Sequence, residues 1–137
     1  MKILLDSNVA LDSLLQRKPF DDLAEQVLAT TPGQITFLIS ASAVTDVYYI
    51  ARKELRDRTV TMNALKGLLR KVKVTATDER DIHRAIALDW RDFEDAVQFA
   101  TGESAFVDCI VTRDKNNFES GAIPVVTPDE LLTFLQT

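Results

Sequence analysis

Short apolar runs of strand length alternate with stretches of helical periodicity along most of the chain, and this alternation is the strongest constraint on its fold. The runs "ILL", "ITFLIS", "KVKV", "CIVT" and "IPVV" are separated by segments whose apolar residues recur at helical spacing. Strands that run parallel need long crossovers, and helices supply them. Strands apolar on both sides are buried on both faces, so the expectation is an α/β fold: one central parallel sheet of four to five strands with helices on both faces. A chain of 137 residues fits one such core, and a single domain over residues 1–137 is expected.

Val9, Leu11, Leu14 and Leu15 follow helical spacing after the first run, and Leu23, Val27 and Leu28 mark a second helix that Pro32 and Gly33 should stop. "SASAVTDVYYIARKEL" reads as a helix capped by Ser40 or Ser42, with Val44, Val47, Tyr48 and Ala51 inward. Further helices are expected over Val60 to Leu69, Asp78 to Leu88 and Phe93 to Thr101, with a short strand at Lys71 to Val74 between the first two. Phe93, Ala96, Val97 and Ala100 form a stripe expected to be buried. Pro124 places "IPVV" near a sheet edge. Thr127, Pro128 and Glu130 make a capping box with proline at the first helical position.

In a parallel sheet all strands end at one edge, and each following helix begins there. Asp6 ends the first strand, and Asp114 follows "CIVT" by two residues. Asp46 lies in the early turns of the helix after "ITFLIS", and Asp95 lies in the first turn of a helix leading back to the start of the "CIVT" strand. All four carboxylates are therefore expected at the carboxyl edge, where open α/β sheets place ligands. Two charges 4 Å apart repel by about 4 kcal/mol at an effective dielectric of 20, so such a convergence calls for a cation. Oxygen donors without imidazole or thiolate suit Mg2+ or Mn2+. Each acid also has a plainer reading: Asp6 as a helix cap, Asp95 as a complement to the helix dipole, Asp46 as a solvated helix residue and Asp114 as a turn residue. Asp108 precedes its strand and belongs at the opposite edge.

At these residues the chain resembles the PIN-domain nucleases, in particular the VapC-like toxins of type II toxin–antitoxin pairs. The resemblance runs in order through "ILLDSNV", "SAVTDVYYI", "DFEDAVQFA", "IVTRDKNNF" and "IPVVTPDELL". It implies a Mg2+- or Mn2+-dependent endoribonuclease that hydrolyses RNA phosphodiester bonds, with Asp6, Asp46, Asp95 and Asp114 as metal ligands and catalytic acids. Asp46 stands where the family often has glutamate, one methylene longer. Asn8, Thr112, Arg113 and Asn116 match the polar surround of the first and fourth acids, placed to orient carboxylates and water. Family members pair with a small antitoxin protein and form homodimers, so both partners are implied.

The formal net charge of -5 argues against coating nucleic acid by bulk electrostatics. Basic residues nevertheless concentrate between Arg52 and Lys73, where Arg52, Lys53 and Arg56 either guide an RNA backbone or are ordinary solvated helix positions. Tyr48 fits the core stripe, whereas Tyr49 suits an interface or a base stack. The lone Cys109 reads as inert core, and His83 as structural or solvated. No run approaches the ~20 apolar residues of a membrane span, and without a basic leader the expected compartment is the cytoplasm. Two other readings stay open. One is a PIN-like module that binds RNA or a partner without cutting. The other is an aspartyl phosphotransfer domain of the haloacid-dehalogenase or receiver type, which fits less well because Asn8 stands where the former has a second Asp and Lys115 directly follows Asp114.

Overall fold

The computed structural model describes residues 1–30, 34–119 and 121–136. The elements run β1 (Lys2–Leu5), α1 (Ser7–Leu14), α2 (Asp21–Leu28), β2 (Thr36–Ser40), α3 (Ala41–Leu55), α4 (Arg58–Lys71), β3 (Lys73–Thr75), α5 (Glu79–Leu88), α6 (Phe93–Ser104), β4 (Cys109–Val111), β5 (Val125–Val126) and α7 (Pro128–Leu135). All strand pairs are parallel, in the order β3-β2-β1-β4-β5. The expected class is therefore the observed one, a five-stranded parallel sheet with helices on both faces.

Side chains of successive strand residues enter opposite layers, as the period of two requires. Ile3 and Leu5 of β1, Phe37 and Ile39 of β2, and Cys109 and Val111 of β4 join one core with residues of α1, α2, α3, α4 and α7. Leu4, Leu38 and Ile110 point the other way, into a core with Ala85, Trp90, Ala96, Phe99 and Ala100. Continuous apolar runs, rather than alternating ones, are the mark of a sheet covered twice.

Several expectations shift in detail. Lys71 ends α4 instead of starting β3, which begins at Lys73. The helix stop assigned to Pro32 and Gly33 lies outside the described residues; α2 ends at Leu28 with Ala29 as its C-cap. Pro124 does precede an edge strand, β5, and its carbonyl still accepts from the Ile110 N–H at 2.9 Å. The capping box of α7 forms, with Glu130 N–H on Thr127 Oγ1 at 3.2 Å and Thr127 N–H on Glu130 Oε1 at 3.0 Å. Phe93 is the clearest departure: Ala96, Val97 and Ala100 are buried, but Phe93 is 49% exposed. It is the first residue of α6, where the chain has not yet turned under the sheet.

Candidate active site

The chain leaves β1 toward β2 on one side, and β4 later docks on the other. The sheet order therefore reverses between β1 and β4, and a crevice opens at their carboxyl ends. The backbone closes this junction: the Asp6 N–H donates to the Val111 carbonyl at 2.9 Å. Asp6 and Thr112, each one residue past its strand, are thus brought side by side from positions 106 apart.

Asp6 is 4% exposed and caps α1, its Oδ1 accepting from the Ser7 N–H at 2.7 Å. The plain capping role and a site role therefore coexist. Thr112 Oγ1 donates to Asp6 Oδ2 at 2.6 Å, and Gln98 Nε2 donates to Oδ1 at 2.5 Å. Burial still dominates, holding the Asp6 carboxyl above its ordinary value against these donors, with Asp114 adding repulsion. The Thr112 hydroxyl spends both lone pairs as well, accepting from the Asp114 N–H at 3.1 Å and from Asn8 Nδ2 at 3.3 Å. Asn8 Nδ2 also reaches Asp114 Oδ2 at 3.2 Å. One hydroxyl and one amide thus link the first acid to the fourth.

The α6 end contributes the second half. Asp92 caps the helix, accepting from the Asp95 N–H at 3.0 Å. Asp95, 7% exposed, has its carboxyl pushed up to about 8, first by burial and then by Asp6, Asp92 and Glu94. Glu94 is raised to about 7, chiefly because it shares a hydrogen bond with Asp46, with burial and further repulsion adding. The α3 N-terminus brings Asp46 to this side, after Ser40 caps the helix on the Ala43 N–H.

Asp6, Asp46, Asp95 and Asp114 accordingly lie along one edge, and each is tied to another acid or to a shared polar partner. Among the described residues, no three acidic, histidine or cysteine side chains stand together as a ready metal cage. The donor chemistry still fits a hard divalent ion. Oxygen ligands alone are present, their proton affinity is raised where they crowd, and the buried Gln98 Oε1 has no partner among the described residues.

Two residues escaped the sequence reading. Glu94 sits in the acidic "DFED" run, where only Asp95 is assigned a place. Gln98 lies three residues beyond Asp95, hence on the same helix face; that spacing was the available signal. Arg113 is corrected: only its backbone N–H approaches the site, on Asn8 Oδ1 at 3.4 Å. Its guanidinium instead forks onto the buried Asp12 at 2.6 and 3.1 Å and lies 3.9 Å over the Phe20 ring. Asn116 falls in a single 3-10 turn, Lys115–Asn117, exposed beside Arg91 and Asp92. Arg52, Lys53 and Arg56 follow Asp46 by six to ten residues, so α3 carries them roughly 9–15 Å along its axis away from it. Lys115, the lysine a phosphotransfer site would require, is engaged by Glu130 Oε1 at 2.9 Å. Cys109 is 6% exposed, and burial pushes its thiol up to about 11, as an inert core residue should be.

No curated protein matches the chain. A toxin–antitoxin complex from Klebsiella pneumoniae superimposes with a TM-score of 0.68 at 25% identity, covering 92% of this chain and 97% of its own. The sarcin–ricin-loop-cleaving toxin VapC20 of Mycobacterium tuberculosis gives 0.71 at 15% identity, covering 88% and 96%. VapBC2 of Rickettsia felis, bound to promoter DNA, gives 0.72 at 11% identity, covering 93% and 98%. The PIN-domain family model matches residues 2–116, and the chain belongs to the PIN-domain family, related to the VapC-like toxins.

Proposed function

We propose that the protein is a metal-dependent endoribonuclease acting as the toxin of a type II toxin–antitoxin pair, with RNA as substrate and Mg2+ or Mn2+ as cofactor. The observation that carries this reading is the linkage of Asp6 to Asp114 through Thr112 and Asn8, beside a crowded Asp95 and the Asp46–Glu94 pair. Acids gathered at a cost to stability are the mark of a site kept for function.

Asp6, Asp46, Asp95 and Asp114 would hold the ion. When bound, it supplies charge stabilisation for a phosphodiester transition state and lowers the pKa of water. The chain's own residues do the rest. Gln98 and Thr112 fix both oxygens of Asp6, so that carboxylate keeps one orientation. Asn8 restrains Asp114, which is exposed and otherwise free to turn toward solvent. Glu94 hydrogen-bonds Asp46, whose side chain is short for the family, and keeps a second carboxyl on that flank. Burial and neighbouring carboxylates hold the carboxyls of Asp95 and Glu94 well above the ordinary range, at about 8 and about 7, a shift that a bound cation would oppose.

Relatives solved as toxin–antitoxin complexes support a small antitoxin as partner. A homodimer is part of the same proposal. Among the described residues no helix is long and apolar enough to cross a membrane; a cytoplasmic site of action goes with the proposed RNA substrate. The test is incubation with structured and single-stranded RNAs in Mg2+, Mn2+ or EDTA, alongside Asp6→Asn and Asp95→Asn. Metal-dependent cleavage lost in both variants is the expected result. Cleavage that survives both, or that proceeds equally in EDTA, overturns the reading.

A further inference from the structure

Beside the acids lies a hollow of about 350 Å3, walled by Ile82 of α5 and by Phe93 and Val97 of α6, with Asp46, Glu94 and Gln98 on its polar side. Two observations about it are unaccounted for by packing. Phe93 and Ile82 are 49% and 37% exposed, large apolar side chains left against water at the mouth of a polar site. Gln98, 2% exposed, turns its amide nitrogen to Asp6 and leaves its carbonyl oxygen without a partner among the described residues.

We propose that this hollow seats one unpaired nucleobase of the RNA, stacked on Phe93 and chosen for an amino group that meets the acceptors Asp46, Glu94 and Gln98. The proposal rests on the ribonuclease reading and adds to it a base preference next to the cut. Single-stranded RNA is read by stacking splayed bases on aromatic rings and hydrogen-bonding their edges. A base offers both a flat apolar face for the wall and N–H donors for a side rich in acceptors, to which Ser42 adds a hydroxyl. Phosphates suit this side poorly, because two carboxylates face them. A protein segment fits less well, since its apolar side chains would leave the buried Gln98 carbonyl and the more open Asp46 and Glu94 unmatched.

Direct binding separates this proposal from cleavage. Fluorescent hexamers of rA, rC, rG and rU are titrated into the protein in EDTA, with Phe93→Ala, Phe93→Trp and Gln98→Met compared with wild type. Phe93 is half exposed at a helix start, so its variants should fold, and circular dichroism checks all three. The expected result is tighter binding of the amino-bearing bases than of rU. Phe93→Ala should lose affinity roughly 5- to 160-fold, the range of base stacking on a side chain, with Phe93→Trp retaining it. Gln98→Met should narrow the gap between rU and the others. Equal binding of all four hexamers, or affinities unchanged in Phe93→Ala, overturns the base seat and leaves a protein contact as the use of this face. If binding depends on Phe93 but Mn2+ brings no cleavage of any RNA, the base seat stands and the ribonuclease reading falls.

Discussion

Asp95 should make this protein lose stability as pH rises, the reverse of what salt-bridged carboxylates do. Its carboxyl goes from an ordinary 3.8 to about 8 on folding, because burial and the charges of Asp6, Asp92 and Glu94 all disfavour ionisation. An acid with a raised folded pKa binds more protons folded than unfolded between those two values. The stability contributed by Asp95 is therefore greatest below pH 4 and falls until about pH 8. At 1.36 kcal/mol per pH unit, the interval from pH 5 to pH 8 sets a ceiling of about 4 kcal/mol. Ionic screening and relaxation of a partly open site bring this to about 2–3 kcal/mol. With an unfolding entropy of about 0.3 kcal/mol/K for a chain this long, the melting temperature should drop by roughly 7–10 °C. Thermal melts in EDTA at half-unit pH steps measure it. In Asp95→Asn at least half of the slope should vanish and the variant should be the more stable protein at pH 8. Mn2+ should restore wild type at pH 8 and do little for the variant. A wild-type profile flat from pH 5 to 8, or an equally steep one in Asp95→Asn, refutes the reasoning.

Removing the Asp12 carboxylate leaves the half-buried Arg113 without its fork, so Asp12→Ala should cost about 3 kcal/mol in urea unfolding, with Arg113→Lys recovering only part of the pair. Thr112→Val removes three hydrogen bonds at the hinge between Asp6 and Asp114, and should cut kcat at least tenfold while Thr112→Ser stays near wild type in a cleavage assay. A Cβ at Gly121 would stand 1.9 Å from Phe99 Cζ, so Gly121→Ala must displace a buried ring and should destabilise by about 1–3 kcal/mol in the same urea series. Cys109 should resist a thiol reagent at pH 8 until the protein is denatured, because it is both buried and raised to about 11.

What was legible in the sequence was whatever the period of the chain dictates. Strand runs apolar on both faces imposed a doubly covered parallel sheet, and that sheet alone fixed which edge Asp6, Asp46, Asp95 and Asp114 share. Pro124 and the Thr127–Glu130 box could be placed because their constraints are local to the backbone. Side-chain partnership was not legible in the same way. Arg113 stands beside Asp114 in sequence yet turns to Asp12, since a buried carboxylate in α1 attracts a guanidinium more strongly than an exposed one in a loop. Phe93 obeys the helical stripe of its neighbours but precedes the point where α6 tucks under the sheet. Gln98 carries no charge and no motif, and its spacing from Asp95 gives the helix face it shares without showing that its amide meets Asp6.

The junction of β1 with β4 has a consequence for synthesis. β1 emerges first and finds its neighbour β2 early, but the partner on its other side begins only at Cys109. Asp6 cannot meet Thr112, Asn8 cannot restrain Asp114, and Gln98 has no settled carboxylate to hold until β4 and the residues just after it have been made. Because long-range parallel pairing is slow and comes late, an unfinished chain carries the acids without their arrangement. Any activity these residues possess is thus withheld from the machinery that makes them until β4 has docked beside β1.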